Sequence, residues 1–157
     1  GTIKGGNYTG GLVGFADYGT TIQNCSSSGK VDGGNSTGGL VGYASYGTIQ
    51  SCSSSATVDG GNNTGGLVGS ASGTIENCYT MSIDEPSDSE IRQRFENGEI
   101  AFLLQKGKEE KIWGQSLYDE KQPVLAGETV YKNHESGLYS NTKEENEEDS
   151  VNIYARN

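Results

Sequence analysis

Apolar residues in the first half of the chain are few, and they fall in pairs between glycines and small polar residues rather than in a stripe of helical period. Sliding the sequence over itself aligns three copies of one phrase, Gly10-Gly11-Leu12-Val13-Gly14, Gly38-Gly39-Leu40-Val41-Gly42 and Gly65-Gly66-Leu67-Val68-Gly69, at offsets of 28 and 27 residues. A Thr-Ile pair (Thr21-Ile22, Thr48-Ile49, Thr74-Ile75) and then a cysteine (Cys25, Cys52, Cys78) follow each copy. The Leu-to-Cys separation shrinks from 13 to 12 to 11 residues, while Cys to the next Leu is 15 both times. Length variation is therefore confined to one surface turn, near Tyr18-Gly19-Thr20, that joins elements of fixed register.

Each unit of about 27 residues holds short β-like runs: Leu-Val-Gly-Phe/Tyr-Ala, Thr-Ile followed by the cysteine, and a run ending at Val31 or Val58. Helix is disfavoured because glycine is costly in helix interiors. One unit cannot bury a core, but stacked units can, each run pairing in parallel with its copy about 4.8 Å away to make a β-solenoid. That register places Leu12, Ile22, Cys25, Val31, Leu40, Ile49, Cys52, Val58, Leu67, Ile75 and Cys78 inside. Ile3 lies 28 residues before Val31, so residues 1–4 read as the last strand of a preceding coil and the chain as beginning within an array.

Strict alternation with Leu12, Gly14 and Ala16 inward turns Val13 and Phe15 outward, as well as Val41 and Tyr43, while the third copy offers Val68 and Ser70. Tyr18 and Tyr46 lie in the adjacent variable turn. Phe15, Tyr18, Tyr43 and Tyr46 are thus the candidate binding residues, since aromatic rings gathered on one side stack well against sugar faces and protein loops. The competing reading is that the rings stack only on each other and brace the coil.

From Asp84 the language changes. Both prolines, but only 5 of the 25 glycines, lie beyond that point, and residues 81–157 hold 17 of the 21 acidic residues. Ser87 or Asp88 can cap a helix running to about Glu96, with Ile91 and Phe95 on one face; Asn97-Gly98 ends it. Ile100-Ala101-Phe102-Leu103-Leu104 then makes a compact apolar surface, extended by short elements at Trp113, Leu117, Val124-Leu125 and Val130-Tyr131. Because a solenoid ends in unpaired strand edges, residues 84–132 read as its C-terminal cap. Residues 133–157, with the run Lys143-Glu144-Glu145-Asn146-Glu147-Glu148-Asp149, read as an acidic linker or tail, within which Ser150 to Tyr154 could begin another element.

Composition agrees with a thin-cored repeat: 31% of residues are hydrophobic, and 25 of the 157 are glycine, well above the usual ~7%. The net charge of −10 repels nucleic acid phosphates and anionic lipids, so neither is an expected partner. The longest apolar run, residues 100–104, is far short of the roughly 20 residues that span a bilayer. Cysteine spacings of 27 and 26 residues match no zinc pattern, and His134 is the one histidine, so no metal or cofactor is expected and the cysteines read as an unpaired, buried ladder. Asp32-Gly33-Gly34-Asn35 and Asp59-Gly60-Gly61-Asn62 could offer oxygens to calcium, but Asp, Gly and Asn together make tight turns, which is the better reading. The threonine rows Thr9, Thr37, Thr64 and Thr21, Thr48, Thr74 lie on different segments and read as structural. No nucleophile with a base, and no pair of carboxylates flanking a cleft, is evident, so catalysis is not expected.

The recurring Gly-Gly-Leu-Val-Gly, Gly-Thr-Ile and Asn-Cys phrases resemble the GLUG repeats of bacterial secreted and surface-anchored proteins over about residues 1–83. In that family the repeats are associated with adhesin-like proteins and with non-catalytic parts of some large immunoglobulin-A peptidases. The string from Asn97 to Leu104, with Trp113-x-Gln115, Pro123-Val124 and Val130-Tyr131, resembles a segment that follows such repeats in gut-type bacterial surface proteins, which implies position rather than activity. The expectation is a mainly β protein: a parallel β-solenoid of about three coils (1–83), a small α+β cap (84–132) and an acidic tail (133–157). Its implied role is a non-catalytic structural or adhesive module of an extracellular bacterial surface or secreted protein. Host or microbial glycans, host surface proteins and adjoining domains of a longer parent chain are the implied partners. The alternative is a fragment of a carbohydrate-active or peptidase surface enzyme serving as a substrate-binding or spacer region.

Overall fold

Each copy of the repeat is one turn of a parallel coil in the computed structural model, which describes residues 1–81, 89–133 and 136–143. A strand β1 (Thr2–Lys4) precedes three coils. The first is β2 (Thr9–Gly10), β3 (Val13–Ala16), β4 (Thr21–Gln23) and β5 (Ser26–Asp32); the second is β6 (Thr37–Gly38), β7 (Val41–Ala44), β8 (Thr48–Gln50) and β9 (Ser53–Asp59). The third is β10 (Thr64–Gly65), β11 (Val68–Ala71), β12 (Thr74–Glu76) and β13 (Tyr79–Thr80). Like strands pair in parallel and in register, giving the ladders β1-β5-β9-β13, β10-β6-β2, β11-β7-β3 and β12-β8-β4. Ile3 opposes Val31, and Val31 opposes Val58, as the repeat spacing requires. The connection from β3, β7 or β11 to the next strand holds four, three and two residues in successive coils, which is the variable turn read from the sequence.

The core of this unit is thin and centred on the middle coil. Leu40, Val41, Ala44, Ile49 and Cys52 are buried there with Ala16 and Ile22, and Val13, Cys25, Leu67, Val68 and Cys78 pack against them. Two expectations fail. Leu12 and Ile75 are 53% and 46% exposed whereas their middle-coil counterparts Leu40 and Ile49 are 0% and 1%, because coils at the ladder edges are covered from one side. Val13, Val41 and Val68 face inward rather than outward. Leucine sits not in the strand but in the bend before it, where Leu12 and Val13 both donate N–H to the Leu40 carbonyl (2.9 and 3.1 Å), and the ladder register skips Gly14 and Gly42, so alternation breaks at that glycine and Val13 and Ala16 face inward while Phe15 faces out.

The bends recur at residues that accept left-handed φ. Tyr8, Ser36 and Asn63 occupy one such corner (φ 57°, 56° and 58°), and Asn24, Ser51 and Asn77 another (55°, 53° and 53°). Side-chain amides join the coils: Asn7 Oδ1 accepts the Asn35 N–H (3.0 Å), Asn35 Oδ1 accepts the Asn62 N–H (3.1 Å) and Gln50 donates to Gln23 Oε1 (2.9 Å). Gly14, Gly42 and Gly69 let one side of the coil touch the other, since a Cβ at Gly42 would lie 2.5 Å from Gly14 O and 2.6 Å from the Tyr8 carbonyl carbon.

Contacts divide the chain at Ser87/Asp88. The second unit contains α1 (Ser89–Glu96), α2 (Glu99–Gln105) and two antiparallel pairs, β14 (Trp113–Gly114) with β15 (Val124–Leu125) and β16 (Tyr131–Lys132) with β17 (Tyr139–Ser140). Gly98 at φ 87° separates the helices, Asn97 Oδ1 accepts the Glu99 N–H (2.9 Å), and Arg94 pairs with Glu99 at 3.0 Å. Phe95, Ala101, Trp113, Gln115, Pro123 and Val130 are buried. Gln105 Oε1 accepts the Ile112 and Trp113 N–H groups (2.8 Å each) and so seats β14. Folded structure continues past Lys132, where the tail had been expected: β17 pairs with β16, and Asn141 donates to Gln115 O (2.8 Å) and Thr129 O (3.0 Å) while accepting from Leu117 N (2.8 Å). The expected cap at Ser87 or Asp88, the side chain of Ile91, His134 and residues 144–157 lie outside the described residues. No described helix is long and apolar enough to cross a membrane.

Candidate functional site

With the valines turned inward, the outward positions of β3, β7 and β11 are Phe15, Tyr43 and Ser70, which the register stacks in one column. The Phe15 and Tyr43 rings lie 5.4 Å apart and 12° from parallel. Tyr8 completes the group from the neighbouring corner, with ring centroids 5.8 Å from Phe15 and 5.5 Å from Tyr43. Tyr8 and Phe15 are each 50% exposed, an arrangement that leaves aromatic surface open to solvent although the rings touch.

Tyr18 and Tyr46 form a second pair, 6.2 Å apart, in the variable turn, and they are 80% and 67% exposed. Asp17 Oδ1 accepts the Tyr18 N–H (2.7 Å) and shapes that turn. All four residues expected from the sequence therefore lie on the first two coils, as two ring groups rather than one. Tyr8 was missed because its counterparts are Ser36 and Asn63, so it belongs to no repeated aromatic phrase. The signal that could have found it is that departure: a bulky ring occupies a left-handed corner where the other copies place residues that tolerate it better. The third coil carries Asn63, Ser70 and Ser72 in the corresponding region, and the aromatic surface stops there.

The remaining candidate groups have local structural partners. Thr9, Thr37 and Thr64 donate to Gly6, Gly34 and Gly61 carbonyls at 2.7, 2.7 and 2.8 Å, which closes the Gly-Gly-Asn turns. Asp32 opposes Asp59 in the ladder, and Lys4 Nζ lies 4.0 Å from Asp32. Among the described residues no group of three or more His, Cys, Asp or Glu is arranged for a metal ion. The cysteines are free; Cys52 is buried, but Cys25 and Cys78 are only half-buried, so the ladder is less enclosed than expected. Each thiol donates to the carbonyl two residues back (3.1 Å). The hydrogen bond between Cys52 and Cys78 pushes the Cys52 thiol up, with burial adding to it, and pulls Cys78 down to about 7. Burial pushes Cys25 up.

Against known families, the GLUG motif matches residues 5–32 and 33–59, the first coil and the second from their leading turns to their last strands. The chain carries GLUG repeats. The third coil lies beyond the matched spans but continues the same parallel ladders in register. Neither the curated proteins nor the solved structures gave a match.

Proposed function

We propose that the GLUG-repeat unit is a non-catalytic recognition and display module of an extracellular bacterial surface or secreted protein. Its task is to hold an aromatic surface on a stiff support. The supporting observation is the trio of half-exposed Tyr8 and Phe15 with partly buried Tyr43, continued by exposed Tyr18 and Tyr46. The parallel ladder holds Phe15 and Tyr43 at the inter-coil spacing, and rings already stacked in place bind at lower entropic cost. Flat aromatic faces suit the apolar faces of sugar rings and the loops of host proteins, which are the ligand classes proposed. Inward-facing Val41 and Leu40 supply the core beneath, so the rings are not required to fill it.

The third coil suggests the substitutions that test this reading. Tyr8→Asn and Tyr43→Ser copy Asn63 and Ser70 at the same register positions, and Tyr46→Ser removes a turn ring. The intact chain is screened against arrayed glycans and host-matrix proteins, and its melting temperature is followed in parallel. The triple variant is expected to lose binding while melting within a few degrees of the parent. A parent that binds nothing at high micromolar concentration, or a variant that unfolds, would leave the rings as bracing for the coil.

A further inference from the structure

The second unit contains a cleft of about 620 Å³ whose lining departs from the charge of its surroundings. Residues 81–157 hold 17 acidic against 9 basic residues, yet the described lining contributes Lys106, Lys132 and Lys143 and no acid. The cleft is also aromatic. Phe102 of α2 and Lys106, the residue just after the helix whose N–H donates to Phe102 O (2.9 Å), form one wall, and the β16-β17 hairpin forms the other. Lys132 and Tyr139 are directly opposed in that hairpin, with Lys132 Nζ 5.7 Å from the Tyr139 ring centroid, and Phe102 lies 5.6 Å from Tyr139. Ser140, Thr142 and Asn133 line the same space, with the Ser140 hydroxyl donating to Thr142 O (2.8 Å) and Asn133 Oδ1 accepting the Ser136 N–H (2.6 Å).

We infer that this cleft binds a carboxylated saccharide. Each component of such a ligand meets a matching group: lysine ammoniums attract the carboxylate as point charges, ring faces take the C–H face of the pyranose, and the polar side chains serve its hydroxyls. A cavity of this size is in the range of small-molecule sites, which run from about 300 to 1,000 Å³. The exposed ammonium groups of Lys106 and Lys132 at this cleft favour anions over neutral sugars. This site is independent of the aromatic surface on the coils.

Isothermal titration of the full chain with trigalacturonate, and with maltotriose as the neutral comparison, tests the inference. Trigalacturonate is expected to bind and maltotriose not. Lys106→Gln with Lys132→Gln, two exposed positions, should weaken binding by roughly three- to tenfold with an unchanged melting temperature, as expected for partly solvated charge pairs. Raising the salt concentration should weaken it as well. Tyr8→Asn with Tyr43→Ser should leave it unaltered, which separates this site from the repeat surface. No binding at millimolar trigalacturonate, equal binding of maltotriose, or indifference to the lysine pair would overturn the assignment.

Discussion

Leu40 and Leu12 occupy the same place in the repeat, yet their environments differ as much as core and surface do. Leu40→Ala should cost about 2–5 kcal/mol, the range for fully buried leucines, and Leu12→Ala about 1 kcal/mol or less, measured by denaturant unfolding of both variants. Equal losses would contradict the placement of the core in the middle coil. Glycine 42 sets a second test, because a methyl group there meets backbone, which cannot step aside as a side chain end would. Gly42→Ala should destabilise the unit by about 1–3 kcal/mol or more, while Gly6→Ala, with open space around it, should stay within about 0.5 kcal/mol. Cysteine reactivity follows the thiolate fraction and access: Cys78, with its pKa lowered to about 7, should be alkylated first near neutral pH, and buried Cys52 last. Peptide mass mapping during a timed iodoacetamide reaction gives the order. The differences among the leucines and among the cysteines were not legible from the repeat itself, since a repeat assigns the same role to every copy.

At the scale of elements, the repeat spacing announced the ladders but not the two-residue Thr-Gly strands, which have no hydrophobic signature and are fixed by pairing with their copies. The second helix was also not announced. Residues 100–104 are apolar without a helical stripe, and the helix depends on Gly98 reversing the chain at positive φ so that Ala101 is buried and Phe102 and Leu104 are partly covered. Short strands hold the rest of that unit by side-chain clamps rather than by length. Asn141 satisfies one N–H and two carbonyls from two chain segments, residues 115–117 and Thr129, so Asn141→Ala should cost about 1–3 kcal/mol in thermal unfolding of the intact chain. A neutral effect would mean that the residues after Lys132 add little to the fold.

For the whole molecule, the open question with the largest consequence is what terminates the coils. The reading of residues 84–132 as a cap requires that a chain ending at Ile83 associate or aggregate, because the last coil of a solenoid ends in unpaired strand edges. Sedimentation of the 1–83 fragment decides it; a monodisperse fragment as stable as the parent would remove the capping role. The repeat by itself determined the parallel coil, its register and the location of its variable turn, because a fixed spacing of polar turns and apolar pairs leaves in-register stacking as the way to pair every strand. It also placed Phe15 next to Tyr43. Only the tertiary structure decided which copies are buried, because burial depends on having a coil on either side. It likewise decided which way the valines face, because the alternation breaks at the glycine between each valine and the outward residue that follows it. And it alone brought Tyr8 onto the aromatic surface and the lysines into a cleft, since these neighbours come from segments that share no sequence pattern.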